Sequence, residues 1–183
     1  MVRNWILQLD RSAYTLRCMT DATRHLPPAP AAVWRAIAKH SFCTLSTSSA
    51  TNRPHGVGVL YTTVDSVLYV STSETSKKAR NIGVNPRVAV CIPVRRIPMA
   101  PPFLVQFGAT AELLSRHEPT VADLISAREL KKITGHGELD DPDTCFLRIV
   151  PDRKVSTYGI GVPLRTLLRD PIHASRTFDL GVS

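Results

Sequence analysis

Aromatic side chains are scarce in this sequence. Two Trp, four Tyr and five Phe make up 6% of its 183 residues, which leaves few flat rings to stack on bases. No nucleic-acid motif accompanies the net charge of +8, so nucleic acid is not expected as a partner. Cysteine is sparse as well. Cys18, Cys43, Cys91 and Cys145 lie far apart and form no C-x-x-C pair. Cys43 and Cys91 sit in apolar, strand-like runs where a free thiol packs as a small hydrophobe, a usage that suits a reducing, cytoplasmic compartment. Histidines 25, 40, 55, 117, 136 and 173 form no H-x-x-x-H pair, and there is no G-x-S-x-G nucleophile elbow. Long apolar runs are missing too. The first 25 residues carry Asp10, Arg11 and Arg17 and read neither as a signal peptide nor as a membrane span. No internal repeat or low-complexity tract is visible.

What is present describes one globular domain. Hydrophobic content is 43% and charged content 21%, in the range of chains that fold around a core of their own. The basic balance favours an acidic partner such as a phosphate-bearing cofactor. A proline-broken segment precedes a short amphipathic helix predicted over 31–39, with Val33, Trp34, Ile37 and Ala38 on one face. The period then changes to two. "FCTLSTS", "HGVGVLYTTV" and "VLYVSTS" read as consecutive antiparallel strands, the last two joined by a tight "DS" turn. "SKKARNIGVN" reads as a helix ending at Asn85, because the residue before Pro86 resists the helical region. "RVAVCIPV" and "FLVQFGATAELL" are strands, "EPTVADLISARELKKI" one further helix, and "TCFLRIVP" and "KVSTYG" two last strands. The tail has one helical pattern, "PLRTLLRDP", and no core of its own. This is a mainly β chain with helices, an antiparallel barrel with little β-α-β alternation. Residues 1–30 read as an N-terminal extension, 31–158 as the barrel domain and 159–183 as a tail. Translation from Met19 is an alternative start, which makes residues 1–18 dispensable.

The stretch "TSETSKKARNIGVNPRVAV" carries the chemistry. If Ser76 caps the helix, the outward amides of its first turn suit an anion. Lys77, Arg80 and Asn81 are three and four apart, Lys78 flanks them, and Ser71 and Thr72 end the incoming strand. Cations beside free amides are what a phosphate monoester requires. The alternative is a solvated basic helix start, although cations there are mildly unfavourable without an anion. "HGVGVLY" places Gly56 and Gly58 inside a strand, either for a planar ring lying on bare backbone at Val57, Gly58 and Val59 or for a barrel bend. Arg95 and Arg96, in "PVRRIPMAPP", either meet an anionic cofactor tail or stay in water. "HGELDD" is either a hard-metal loop or a solvated acidic one.

The order of "RPHGVGVLY", "LYVSTSETSKKARNIGVNPRVAV" and "VQFGATAEL" resembles the split β-barrel family of FMN-binding type. That family includes pyridoxamine 5′-phosphate oxidase, general stress flavoproteins and deazaflavin-dependent reductases. The resemblance runs from about Ala31 to Tyr158. It implies that Ser76, Lys77, Lys78, Arg80 and Asn81 hold the cofactor phosphate, that the strand from Pro54 to Leu60 contacts the ring, and that Ser71 and Thr72 help to position it. It also implies a homodimer with the cofactor at the subunit interface. Vitamin B6 oxidases place an arginine where this chain has Val57, and their basic C-terminal substrate motif is missing from "DRKVSTYGIGVPLRTLLRDP". The wider FMN or deazaflavin branches therefore fit better than a true pyridoxamine 5′-phosphate oxidase.

The expected function is that of an oxidoreductase that passes hydride or electrons from FMN or a deazaflavin to a small-molecule substrate, with no catalytic acid or base assigned. The alternative is a non-catalytic flavin, deazaflavin or haem carrier, with His55 or His136 as an axial ligand to haem. No membrane association is expected.

Overall fold

The computed structural model describes residues 30–94, 103–160 and 162–180. The N-terminal extension, the Met19 start and the loop bearing Arg95 and Arg96 lie outside the described residues. The first helix, α1 (Pro30–Lys39), begins at a proline, whose fixed φ suits a first turn. It buries Val33 and Ile37, one helical turn apart, against the sheet.

Eight strands form one antiparallel sheet: β1 (Phe42–Ser48), β2 (Pro54–Leu60), β3 (Thr62–Val64), β4 (Val67–Ser73), β5 (Arg87–Val94), β6 (Phe103–Ser115), β7 (Thr144–Tyr158) and β8 (Ser175–Asp179). Their order is β2-β1-β5-β6-β7-β4-β3, with β8 added on β7. The ends of this order, β2 and β3, are neighbours in sequence, separated by Tyr61 alone. A sheet whose two edges are joined by one residue has to curl back on itself, and the result is a split barrel.

Tyr61 is therefore where the single strand expected over "HGVGVLYTTV" divides. Its backbone N–H donates to the Ser41 carbonyl at 2.8 Å. Its ring is fully buried, and its hydroxyl donates to the Ile37 carbonyl at 2.6 Å. One tyrosine thus ends the pairing with β1, begins the pairing with β4 and ties α1 to the core. Asp65 and Ser66, both at positive φ, make the tight turn from β3 to β4.

Three other expectations change. "TCFLRIVP" and "KVSTYG" are one strand, β7, with a bulge where the break was expected: its register with β6 shifts between Phe107 and Ala109, where one residue of β6 stands opposite Asp152, Arg153 and Lys154. Gly108 sits in that shift, and a β-carbon there would stand 2.5 Å from Asp152 Oδ2. The Asp152 carboxylate folds over the glycine and pairs with Arg87 at 3.1 Å. The long helix after β6 is two helices, α3 (Pro119–Ser126) and α4 (Lys131–Thr134), parted by Arg128 at φ +62°. The tail contains β8, which its sequence did not announce, besides α5 (Leu164–Arg169) and a 3-10 turn (Pro171–Ala174).

The main core fills the barrel and includes Leu45, Ile92, Val105 and Ile149. The tail contributes Ile160, Leu167, Ala174 and Leu180 to it. A second core of Tyr69, Val121, Leu130, Ile133 and Phe146 lies under α3 and α4. It holds those short helices, and the loop after them, against the outside of β4 and β7. Among the described residues, no helix is long and apolar enough to cross a membrane.

Candidate functional site: the cleft at the start of the basic helix

Strand β4 runs directly into α2 (Lys77–Val84). Ser76 caps this helix in an extended conformation, and its hydroxyl oxygen accepts the Ala79 N–H at 3.2 Å. Thr72 Oγ1 donates to the same oxygen at 3.2 Å, so the end of the strand fixes the start of the helix. The helix stops at Asn85, whose N–H donates to the Asn81 carbonyl at 2.8 Å ahead of Pro86.

The cap leaves a first turn that is rich in positive charge and has no acid. Lys77 and Arg80 are exposed and Lys78 is half-buried. None of the three has a carboxylate partner among the described residues. Burial pushes the Lys78 ammonium below the ordinary lysine range, and the nearby Cys145 thiol works the other way. Cys145 itself is pushed up to about 11, first by burial and then by Glu74, so it stays a neutral thiol that donates weakly to the Thr72 carbonyl at 3.4 Å. Cys43, inside the barrel, is pushed up to about 12 by burial and is a packing residue.

Lys78 lines a cavity of about 250 Å³ together with Gly58, Val59 and Leu60 of β2, Ser71 of β4, and Ile133 and Glu138 from beyond α3. The site therefore lies where the two strands beside the split come together. The structure brings Gly58, Val59, Ser71 and Lys78 to one cavity, with Thr72 and Ser76 as its buttress. Asn81 goes elsewhere. It is 7% exposed, and its Nδ2 donates at 2.9 Å to Thr47 Oγ1, which in turn donates to the His55 carbonyl at 3.4 Å. That chain ties α2 to β1 and β2 and directs the amide into the protein. Val57 likewise packs against the barrel core. Lys77 and Arg80 stand in solvent on α2, and Arg95 lies outside the described residues.

Gly58 has a packing reason to be glycine. A β-carbon there would lie 2.8 Å from the ring of Phe42 on the neighbouring strand. Gly56 has no such neighbour, since the nearest atom to its β-carbon position would be Ser46 Oγ at 3.8 Å.

Ile133 and Glu138 are the lining residues that sequence reasoning did not connect with the site. Glu138 follows Gly137, which turns the chain at φ +92°. His136 donates its backbone N–H to Glu138 Oε2 at 2.7 Å, and this bond above all holds the carboxyl below its ordinary range. His136 itself is exposed, and no group of three His, Cys, Asp or Glu side chains among the described residues is arranged to hold a metal ion. A larger depression, about 450 Å³, crosses the outer face of β1, β5, β6 and β7 near Cys91, Gln106 and Lys154. It includes none of the expected site residues, so the smaller, charged cavity is the candidate.

The strand order and the curled sheet define the class of split-barrel proteins. The family model of pyridoxamine 5′-phosphate oxidase matches residues 29–156, and the chain belongs to that family. No curated protein matches the sequence. Among solved structures, the haem storage protein HutZ from Vibrio cholerae is similar at 19% identity and a TM-score of 0.57, over 67% of this chain and 89% of that one. An FAD-binding protein from Mesorhizobium loti is similar at 19% identity and a TM-score of 0.58, over 71% and 92%. A haem-binding protein from Mycobacterium smegmatis gives 17% identity and a TM-score of 0.63, over 85% and 60%. At these identities the likeness is one of fold.

Proposed function

We propose that the cleft between β2, β4 and α2 binds a flavin-type cofactor, FMN or a deazaflavin, by its phosphate, and that the protein is an oxidoreductase acting on a small organic molecule. The observation that carries this reading is Lys78: a half-buried ammonium with no ion-pair partner among the described residues, at the start of a capped helix whose first turn contains no acid. Removing a cation from water without a counter-charge is unfavourable, and a phosphate at this point supplies the missing charge. Lys78, with Lys77 and Arg80 from the exposed side, holds the phosphate. Ser76 and Thr72 fix the helix start that presents its free amides. Gly58 and Val59 offer backbone to the ring, and Ser71 offers a hydroxyl. The bound cofactor supplies the hydride or electron chemistry, while the protein binds it, orients it and shapes the substrate pocket. Valine at position 57, where the vitamin B6 oxidases carry arginine, leaves the phosphate held from the α2 side. This argues for the wider flavin and deazaflavin branches of the family.

A homodimer is part of this reading. Phe42 and Leu60, cross-strand neighbours beside the free edge of β2, are 48% and 49% exposed. A second copy laid over that edge would bury both and close the cleft. The second reading is haem carriage without turnover, favoured by the fold likeness to the two haem proteins and by His136, whose imidazole adjoins Glu138 at the cavity wall. One experiment separates the two. The purified protein is titrated with FMN, a deazaflavin and haemin while absorbance and fluorescence are followed. Flavin or deazaflavin quenching at micromolar concentration supports the first reading, and a Soret band that is lost in His136→Ala supports the second. Light scattering on the same sample reports the dimer.

A further inference from the structure

The cavity that holds Lys78 also holds an opposite charge that does not meet it. Both Lys78 and Glu138 line its wall, yet their charged atoms lie beyond the 4.0 Å of an ion pair. Glu138 is not free to swing across. Its Oε2 takes the His136 N–H at 2.7 Å, and its Oε1 lies 3.7 Å from His136 Nδ1. The backbone on either side is pinned as well. The Glu138 carbonyl accepts from Thr144 Oγ1, and Arg116 Nη1 donates to the carbonyls of Leu139 at 3.0 Å and Asp141 at 3.3 Å. The carboxyl is ionised at neutral pH, because its bonds to His136 favour the charged form.

A fixed carboxylate facing a phosphate site is a poor design for a bare anion, because like charges repel at short range. It suits a ligand whose anionic end is followed by hydrogen-bond donors. The volume agrees. About 250 Å³ is roughly the share of eight waters in the liquid, more than an inorganic phosphate fills. Resting on the reading that Lys78 holds phosphate, we propose that Glu138 is a specificity-determining residue that selects polyol phosphates over simple anions. It accepts hydrogen bonds from the hydroxyls next to the phosphate. Bonds to a charged acceptor are roughly twice as strong as neutral ones.

The test uses the full chain and two small probes, inorganic phosphate and glycerol 3-phosphate, at a pH where both are dianions. Binding is followed through the NMR signals of Lys78 and Ser71 in wild type, Glu138→Ala and Glu138→Gln. The wild type is expected to prefer glycerol 3-phosphate by about tenfold, the factor one charge-assisted bond provides. In Glu138→Ala the preference should shrink to about twofold or less while inorganic phosphate binds more tightly, as removal of a repulsive charge requires. Glu138→Gln, which keeps an acceptor without the charge, should lie between the two and melt like the wild type. A wild type that does not discriminate, variants that weaken both probes equally, or no binding of either probe at Lys78 would overturn the proposal. Titration with FMN on the same samples keeps the two readings apart. A retained polyol preference with no FMN binding refutes the cofactor and leaves Glu138 as selector. FMN binding without any effect of Glu138 does the reverse.

Discussion

Helices α2 and α3 begin in opposite ways. Ser76 caps α2 with a real side-chain bond, and two lysines follow at once. The cap position of α3 is Glu118, whose side chain makes no capping bond, followed by Pro119 at the first helical position and no cation in the first turn. The α3 arrangement is complete in itself. A carboxylate beside the positive end of a helix dipole is favourable, and proline there gives up an amide that had no partner. The α2 arrangement is not complete. Its geometry is well made, but its charges oppose the dipole, and on the proposed reading an anion offsets their cost. The same local problem is solved at α3 for folding alone and, on the proposed reading, at α2 with a ligand in view.

The comparison breaks most directly at the cations. Lys78→Ala combined with Arg80→Ala should weaken FMN binding by about a hundredfold or more, since each charge-assisted bond contributes about 1.5–3 kcal/mol. The fold should survive, because one side chain is exposed and the other half-buried. The control at α3, Glu118→Ala, should leave affinity unchanged. Fluorescence quenching decides the matter, and equal affinity in the folded double variant rules out this site.

Next in size is the cap. Ser76→Ala should cost about 1 kcal/mol of stability, because it frees the Ala79 N–H. It also strands the Thr72 hydroxyl. Glu118→Ala should cost about 0.5 kcal/mol or less, a dipole effect without a lost bond. Urea midpoints for the two variants test the difference, and equal losses would mean that the cap geometry of α2 contributes nothing special.

The far ends of the two helices sharpen the contrast. α2 stops where its sequence says it should, at Asn85 before Pro86. α3 ends at Ser126 with Ala127 as its cap, and Arg128 then takes the left-handed conformation that glycine normally supplies, while Glu129 N–H reaches back to the Leu124 carbonyl at 3.0 Å. Nothing in "LISARELKK" signals that break, which is why one long helix was expected there. Arg128→Gly should therefore stabilise the protein by about 0.5–1 kcal/mol, the usual penalty for a side chain at such φ. A lower melting temperature would show instead that the guanidinium makes a contact worth more than the strain it causes.

The same distinction explains what the sequence revealed. β1 and β5 lie where alternation places them, since each has one face in the barrel and one outside, whereas β4 is buried on both faces, with Leu68 and Val70 in the barrel and Tyr69 in the second core. α2 and its cap were legible because cap, charge and stop are all local. What escaped was non-local. "HGVGVLYTTV" alternates without a break, and only the bonds from Tyr61 to Ser41 and Ile37 reveal the division. β8 is short and exists because β7 offers it an edge. Glu138 lies 60 positions beyond Lys78 in the chain, in a loop that reads as solvated acid, and reaches the cavity only through the second core beneath α3 and α4. Asn81, placed by helical spacing with Lys77, turns instead to the buried hydroxyl of Thr47.

The smallest effect tests the premise that α2 is incomplete without a ligand. Lys77→Gln removes one exposed cation at the first helical position and changes helix propensity little. With no ligand present, the loss of an unfavourable charge–dipole contact should stabilise the protein by about 0.3–0.5 kcal/mol at low salt. The gain should fade as salt rises toward 1 M, where the screening length falls to about 3 Å. With FMN in excess the sign should reverse. Ligand stabilisation grows with the ratio of free ligand to Kd, and the variant's Kd is weaker. Melting curves with and without FMN, at two salt concentrations, give all four values. A variant less stable than wild type without ligand at low salt would mean that Lys77 is part of an ordinary solvated helix face, and the asymmetry between α2 and α3 would then carry no functional meaning.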